Sequence, residues 1–376
     1  MNKKNLYYIT NTTPNKNGTG ISYKIFKQIN LFEKNGFCVH VINVSKGVSI
    51  LKRRASKIPF INLDTNLSSL NIIKDNSYIY IRYFLCNSKL LHKLKKIRRK
   101  KNIRIGLEIP TYPYDGEFKG NKIIDRLKNY PYIFKDKLTR QYLNKYIDKI
   151  ITFSDDKSIW GIPTINIANG VDVNKIQQRK PHKLSSTIKL IAVAKFGFWH
   201  GYDRMIEGLG RYYQTSGIHR DIKFYIVGYG NEKIANEYQM LIEKYNLEKH
   251  VILTGKRTGQ ELADLYNKCD IGVDSMGRHR SNVYYNSSLK GKEYLAKGLP
   301  IISGVRTELD NIKDFNYYLR VPADDSPIDI DNVISFYDSI YKDKNNIEIS
   351  EYIRRFCEYN FNMDNCFEEV INWYKH

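Results

Sequence analysis

Cysteine is scarce and dispersed in this sequence. The five residues, Cys38, Cys86, Cys269, Cys357 and Cys366, form no C-x-x-C pair and no metal-ligand spacing, which argues against a disulfide framework or a zinc site and for reduced thiols in a cytoplasmic protein. Long apolar runs are missing too. The N-terminal stretch MNKKNLYYITNTTPNKNG has basic residues but no apolar core, and nothing approaches the ~18 uninterrupted apolar residues of a membrane span. The expectation is a chain neither exported by a standard signal nor integral to a membrane. Short-period repeats and low-complexity tracts are also absent.

Acidic residues are lacking in one half only. Residues 1–180 hold 12 Asp plus Glu against 35 Lys plus Arg, whereas residues 181–376 hold 27 against 26. The formal charge of +22 therefore belongs entirely to the first half, which implies a polyanionic partner there: nucleic acid, an anionic membrane surface or a phosphorylated substrate. With 376 residues, 42% hydrophobic and 27% charged, the chain has the size of two domains and enough apolar material for two cores.

The densest basic segment is Ser88–Arg104, with nine Lys or Arg. Leu90, Leu91, Leu94 and Ile97 recur at helical spacing, so Lys93, Lys95, Lys96, Arg98, Arg99, Lys100 and Lys101 fill the other faces. Two readings stay open with equal weight: a basic amphipathic helix lying on a membrane, or a packing helix with a solvated basic face.

Short β-rich runs alternate with helical patterns, the appearance of parallel sheets covered by helices. One strand series is predicted near Tyr7–Thr10, Val39–Val44, Tyr78–Tyr83, Arg104–Ile109 and Lys149–Phe153. A second is predicted at Ile188–Ala194, Ile222–Val227, Val251–Thr254, Ile271–Asp274 and Leu299–Ser303. The polar stretch Val173–Ser186 reads as the seam, and a helix over Asn365–Tyr374 closes the chain. The fold class is α/β: two doubly wound, Rossmann-like parallel-sheet domains, with a ligand expected in a central cleft at the strand C-terminal edges.

Three loops carry candidate chemistry. Asn15–Gly20, with Gly18 and Gly20, leads from the first strand into a helix over Ile21–Lys34, whose free N–H groups suit a phosphate, although a tight turn explains it as well. Ile188–Gly210 offers Lys195 at a strand end and the His200-Gly201 loop before a helix near Tyr202, a plausible pyrophosphate cradle. Ser287–Gly304 opens with Ser287 or Ser288 as helix cap, then Lys290 in the first turn and Glu293 one turn on, within reach of a ribose.

The segments INIANGVD (165–172), AKFGFWHGYDRMIEG (194–208), FYIVGYG (224–230), VILTG with LYNKCDIGVD (251–255, 265–274) and KGKEYLAKGLPIIS (290–303) stand in the order and spacing of family-4 glycosyltransferases. The chain resembles a retaining, nucleotide-sugar-dependent enzyme of the GT-B fold, most sharply from Ile188 to Ser303. The resemblance implies an acceptor-binding domain over 1–180, with the helix of about 360–376 packing back on it, and a donor-binding domain over 181–359. It implies that the Gly18–Gly20 loop, Lys195, His200 and Gly201 face the donor diphosphate, that Ser288 and Lys290 support it, and that Glu293 holds the ribose. Tyr285 stands where the motif's first glutamate belongs, and Lys195 with His200 where an Arg and Lys pair is commoner. Lys290 is a candidate to compensate, and Arg278 and Arg280 lie in a loop of unassigned role.

In the first half, Gly106–Gly116 matches an acceptor-side loop that often carries a histidine; here Glu108 and Asp115 are the candidates to orient an acceptor hydroxyl. Asp329 and Asp331 form the chain's Asp-x-Asp, read as the ordinary acidic start of a helix. The expected activity is transfer of a hexose from a nucleoside diphosphate sugar, a UDP-sugar first, to a saccharide, lipid-linked in a bacterial surface polysaccharide. No metal or other cofactor is expected, and an anionic membrane at the inner face of the cell is the expected peripheral partner. A basic nucleic-acid-binding protein lacks a recognisable motif here. A catalytically silent partner subunit would account for Tyr285.

Overall fold

The computed structural model describes residues 4–18, 20–58, 60–119, 123–180, 182–230, 232–342 and 345–376. Two compact units result: Met1–Ile167 with Phe367–His376, and Ala168–Cys366. The Val173–Ser186 stretch therefore lies inside the second unit, and the division falls earlier than residue 180. That stretch is polar, yet it is anchored: Val173 is buried and the buried Arg179 donates to Asn346 at 2.9 Å.

The first unit is built on a seven-stranded sheet of β1 (Lys4–Thr10), β2 (Phe37–Asn43), β3 (Ser77–Arg82), β4 (Ile103–Ile109), β5 (Lys149–Thr152), β6 (Ser158–Ile159) and β7 (Ile162–Asn166), in the order β2-β1-β3-β4-β5-β7-β6. All pairings are parallel except the β6–β7 edge. The predicted strands are present; β6 and β7 were missed because two to five residues carry too little pattern. Helices α1 (Ile21–Lys34), α2 (Ile50–Ala55), α3 (Ser88–Ile97) and α4 (Ile123–Thr139) connect them.

Asn87 caps α3 through the Leu90 N–H at 3.0 Å, and Leu90, Leu94 and Ile97 are buried in the core. Its apolar face is thus consumed by packing, and only its basic side remains for any membrane. Arg98 is taken up by Asp148 at 2.6 Å.

Parallel strands buried on both faces need polar side chains to be satisfied internally. Glu108 on β4 is completely buried, held by Arg82 and Tyr80 and by Gln28 of α1 at 2.6 Å. Burial alone would raise its pKa, but Arg82, Lys24 and these hydrogen bonds outweigh it and keep the carboxyl low. Glu108 is a core ion-pair residue, which corrects its candidacy as an acceptor-orienting group.

The second unit has six parallel strands, β8 (Ile188–Phe196), β9 (Ile222–Gly230), β10 (Val251–Gly255), β11 (Ile271–Val273), β12 (Ile301–Ser303) and β13 (Tyr318–Arg320), ordered β10-β9-β8-β11-β12-β13. Its helices are α5 (Tyr202–Gln214), α6 (Glu232–Lys244), α7 (Gly259–Lys268), α8 (Leu289–Ala296), α9 (Ile330–Tyr341), α10 (Asn346–Phe361) and the start of α11 (Met363–Lys375). Asp329 caps α9, accepting from the Asp331 and Asn332 N–H groups at 3.0 and 3.3 Å. The end of α11 completes the first unit's core: Tyr374 is fully buried, donates to the Ile79 carbonyl at 2.6 Å and accepts from the Gly106 N–H at 3.0 Å. Among the described residues, no helix is long and apolar enough to cross a membrane.

Candidate functional site

In a doubly wound sheet, the place where successive connections diverge leaves a crevice outside the strand C-termini. In the second unit that place is between β8 and β11, which pair in parallel while β9 lies beyond β8 and β12 beyond β11. Three segments converge there: Lys195–Gly201 at the end of β8 and beyond it, Asp274–Arg278 after β11, and the first turn of α8.

The start of α8 is fixed by Ser288. Its hydroxyl accepts from the Gly291 N–H at 3.3 Å and donates to the buried Asp274 at 2.9 Å. The cap takes up the Gly291 N–H and fixes the first turn, in which Lys290 lies. Lys290 Nζ lies 2.5 Å from Nε2 of His200.

His200 is only 3% exposed, and its Nδ1 meets the Gly197 N–H at 3.0 Å and the Gly197 carbonyl at 3.1 Å. Burial first, then the charges of Lys290 and Arg278, push its pKa well below the usual value. His200 is therefore neutral, and it is corrected from a phosphate cation to the acceptor that positions Lys290. The charged Lys290 donates to Nε2, while Nδ1 stands between the N–H and the carbonyl of Gly197. Burial lowers Lys290 itself to about 8, with Asp274 and Glu293 opposing and Arg278 reinforcing the shift.

Gly201 and Gly277 bring the two loops into backbone contact. Gly201 has φ +64°, and a Cβ there would lie 2.5 Å from the Gly277 nitrogen. The Met276 N–H donates to the His200 carbonyl at 2.7 Å, tying the loops together. Of the two arginines without an assigned role, Arg280 is structural, gripping Asp203 at 2.9 and 2.6 Å. Arg278 lies beside the site, its guanidinium 5.9 Å from the Trp199 ring centre. Sequence reasoning missed Asp274, which accepts from Ser288 in a separate segment, and Gly277, whose contact with Gly201 spans more than 70 residues.

Glu293 follows Lys290 by one turn and is exposed at the surface of α8. Its carboxyl is raised by surrounding protein, with Lys290 and Lys297 opposing. Tyr285 is half-buried, bridged to Arg306, whose guanidinium lies 5.7 Å from its ring. Lys195 is exposed at the end of β8; Gly230 leaves room for its stem, since a Cβ there would be 3.2 Å away.

In the first unit, Gly18 and Gly20 form the turn into α1. A Cβ on Gly18 would strike the Ser22 hydroxyl at 2.3 Å, and Gly20 has φ +58°. At the C-terminal ends of β1, β3 and β4 lies a cavity of about 310 Å³ lined by Asn11, Tyr83, Phe84, Ile109, Thr111 and Tyr114 among others. Asp136 supports its aromatic wall, accepting from Tyr83, from Tyr114 at 2.5 Å and from the Cys86 N–H at 2.7 Å. Asp115 is outside that lining and is held by both Arg140 nitrogens at 2.7 and 3.0 Å, so it is an ion-paired carboxylate and not a free base.

Residues 174–304 match the family model described as Glycosyl transferases group 1. The chain is an enzyme of the glycosyltransferase class. Its fold is similar to that of a glycosyltransferase from Rickettsia africae ESF-5, at 14% identity and TM-score 0.63, with 100% of this chain and 98% of that one covered. It is also similar to Anabaena HepE in complex with UDP-glucose (11%, TM-score 0.55, 99% of both chains). A third similar structure is the lipopolysaccharide outer core galactosyltransferase WaaB (12%, TM-score 0.58, 99% and 100%). Comparison with curated proteins gave no match. These likenesses agree with the two-domain GT-B fold that the sequence implies.

Proposed function

We propose that the chain transfers a hexose from a nucleoside diphosphate sugar to a saccharide acceptor with retention at the anomeric carbon. The observation that carries this is the cation presented at the start of α8: Lys290 is oriented by a neutral His200, beside free helix amides, at the divergence point of the second sheet. Departure of a nucleoside diphosphate builds charge on its terminal phosphate, and cations with preorganised N–H groups stabilise it. Lys290 with Lys195 and Arg278 supply that charge, so transfer needs no metal. Glu293 accepts from the ribose hydroxyls, and Tyr285 lies toward the sugar.

Support for UDP as the nucleotide comes from HepE, which holds UDP-glucose, and for a surface saccharide as acceptor from WaaB. The acceptor takes the aromatic cavity of the first unit, where Tyr83, Phe84 and Tyr114 suit a sugar ring. Lipid linkage of that acceptor would bring the enzyme to the anionic inner face of the membrane. A thermal-shift screen of nucleoside diphosphates tests the donor reading, since a ligand at a hundred times its Kd stabilises by about 2.7 kcal/mol. Stabilisation by a uridine diphosphate, followed by transfer from its sugar, is the expected result. Stabilisation without transfer from any donor would favour a silent subunit.

A further inference from the structure

The first unit has an apolar surface that its core does not use. None of the six residues of α2 is buried. Ile50 and Leu51 are 71% and 75% exposed, and Ile58 and Phe60 follow at 54% and 83%. A short helix normally persists by burying one face. This one shows its apolar side chains to solvent together with the exposed cations Lys46, Lys52, Arg53, Arg54 and Lys57, and no acidic residue intervenes over 46–60.

The segment is nevertheless held in place. The buried Lys135 of α4 donates to the carbonyls of Ser56 and Ile61, each at 2.6 Å, and Tyr132 donates to the Arg53 carbonyl at 2.8 Å. The Ser56 hydroxyl accepts from the Leu63 N–H at 2.7 Å. Phe60 has φ +71°, a conformation unfavourable for a bulky residue. The backbone is thus clamped from inside while large apolar side chains are kept outside. Asn62 bonds Ser88 at 3.0 Å and Lys89 bonds the Thr65 carbonyl at 3.2 Å, so this surface runs on into the basic side of α3.

We propose that α2 and the following segment to Phe60 are the membrane-docking surface, with Ile50, Leu51, Ile58 and Phe60 entering the acyl boundary of an anionic bilayer and the five cations pairing with its headgroups. The charge selects the partner: residues 1–180 carry a net +23, which an anionic surface complements and a second copy of the chain would oppose. Exposed Leu, Ile and Phe have no role against a phosphate backbone, which disfavours nucleic acid. The inference rests on the proposed membrane-borne acceptor and names the surface that reaches it.

Purified full-length protein is sedimented with phosphatidylcholine vesicles with and without phosphatidylglycerol. The parent is expected to pellet only with the anionic vesicles and to be released by salt. Ile50→Ser/Leu51→Ser/Phe60→Ser and Arg53→Gln/Arg54→Gln/Lys57→Gln should each lose that binding, the latter by about fivefold per cation removed. Lys95→Gln/Lys96→Gln/Arg99→Gln, at the end of α3 and just beyond it, should retain most of it. A Phe60→Trp variant should gain quenching by brominated anionic lipids that the parent lacks, which reports insertion without loss of fold.

Undiminished pelleting of the apolar triple variant, or no added quenching at position 60, overturns the proposal. So does a parent that binds no vesicles but dimerises through this face or shifts random duplex. Nucleoside diphosphate stabilisation is measured on every variant. If the parent shows it but binds no vesicles, the surface assignment is wrong and the donor reading stands; if it is absent in the parent, the donor reading itself fails.

Discussion

Nζ of Lys290 is 2.5 Å from Nε2 of His200, and the histidine is the neutral partner. The pair therefore delivers one cation, on a lysine whose own position in the first turn of α8 is set by Ser288. Lys290→Met should weaken nucleoside diphosphate binding by roughly 10- to 100-fold in titration calorimetry, the worth of about 1.5–3 kcal/mol for a charged hydrogen bond. An unchanged affinity in a folded variant would remove Lys290 from the site.

The same substitution should raise the melting temperature at pH 7. Folding lowers Lys290 from the ordinary range to about 8, so below pH 8 the folded protein carries the cost of a partly desolvated ammonium. Between about 8 and ~10.4 the folded state is neutral while the unfolded state still binds the proton, and stability rises with pH. The advantage of Lys290→Met should shrink across that window in melting curves, and diphosphate affinity of the parent should fall as pH passes 8. A constant difference between the two proteins from pH 7 to 10.5 would contradict the assignment.

His200→Phe keeps a ring but removes the acceptor that orients Lys290. Binding should weaken several-fold while Asn at the same position, which supplies an acceptor oxygen, restores part of it. A purely structural role would show no such recovery.

Glu293→Gln should cost the ribose its charged acceptor, again about 1.5–3 kcal/mol in nucleoside diphosphate affinity. Because the residue is exposed on α8, its melting temperature should hardly move. Equal binding of ribose and deoxyribose diphosphates by the parent would argue against the role.

Glu108→Leu removes one member of a fully buried pair and leaves Arg82 uncompensated, at a cost of about 3–5 kcal/mol in denaturant unfolding. Arg82→Met/Glu108→Leu should recover much of that loss. Chelators should leave transfer unaffected, since Lys290, Lys195 and Arg278 supply the positive charge; loss restored by manganese would show that they do not suffice.

Much of the architecture was legible because buried parallel strands are continuous runs of Ile, Val, Leu and Tyr separated by helical patterns, and the Ser287-Ser288 pair, of which Ser288 is the cap, announced its helix. What stayed hidden depends on three-dimensional neighbours. Glu108 and Asp115 look like catalytic carboxylates until Arg82 and Arg140 are placed against them. His200 looks like a cation until Lys290, ninety residues later, is found at its ring. The Gly201–Gly277 contact has no local signature, and neither does the difference between α3, which buries its leucines, and α2, which buries nothing.

Tyr374 sets the order in which the protein can be finished. Its ring is surrounded by Phe32, Phe37, Tyr78 and Tyr80, and its hydroxyl joins the Ile79 and Gly106 backbones. During synthesis, residues 1–167 leave the ribosome with that socket vacant, and the plug arrives only once residue 374 has been made. The unit translated first is the one completed last, so a nascent chain stalled anywhere before residue 374 should present an unfinished N-terminal half to chaperones and proteases, and a ribosome-bound fragment of 1–167 should be cut far faster than the released protein.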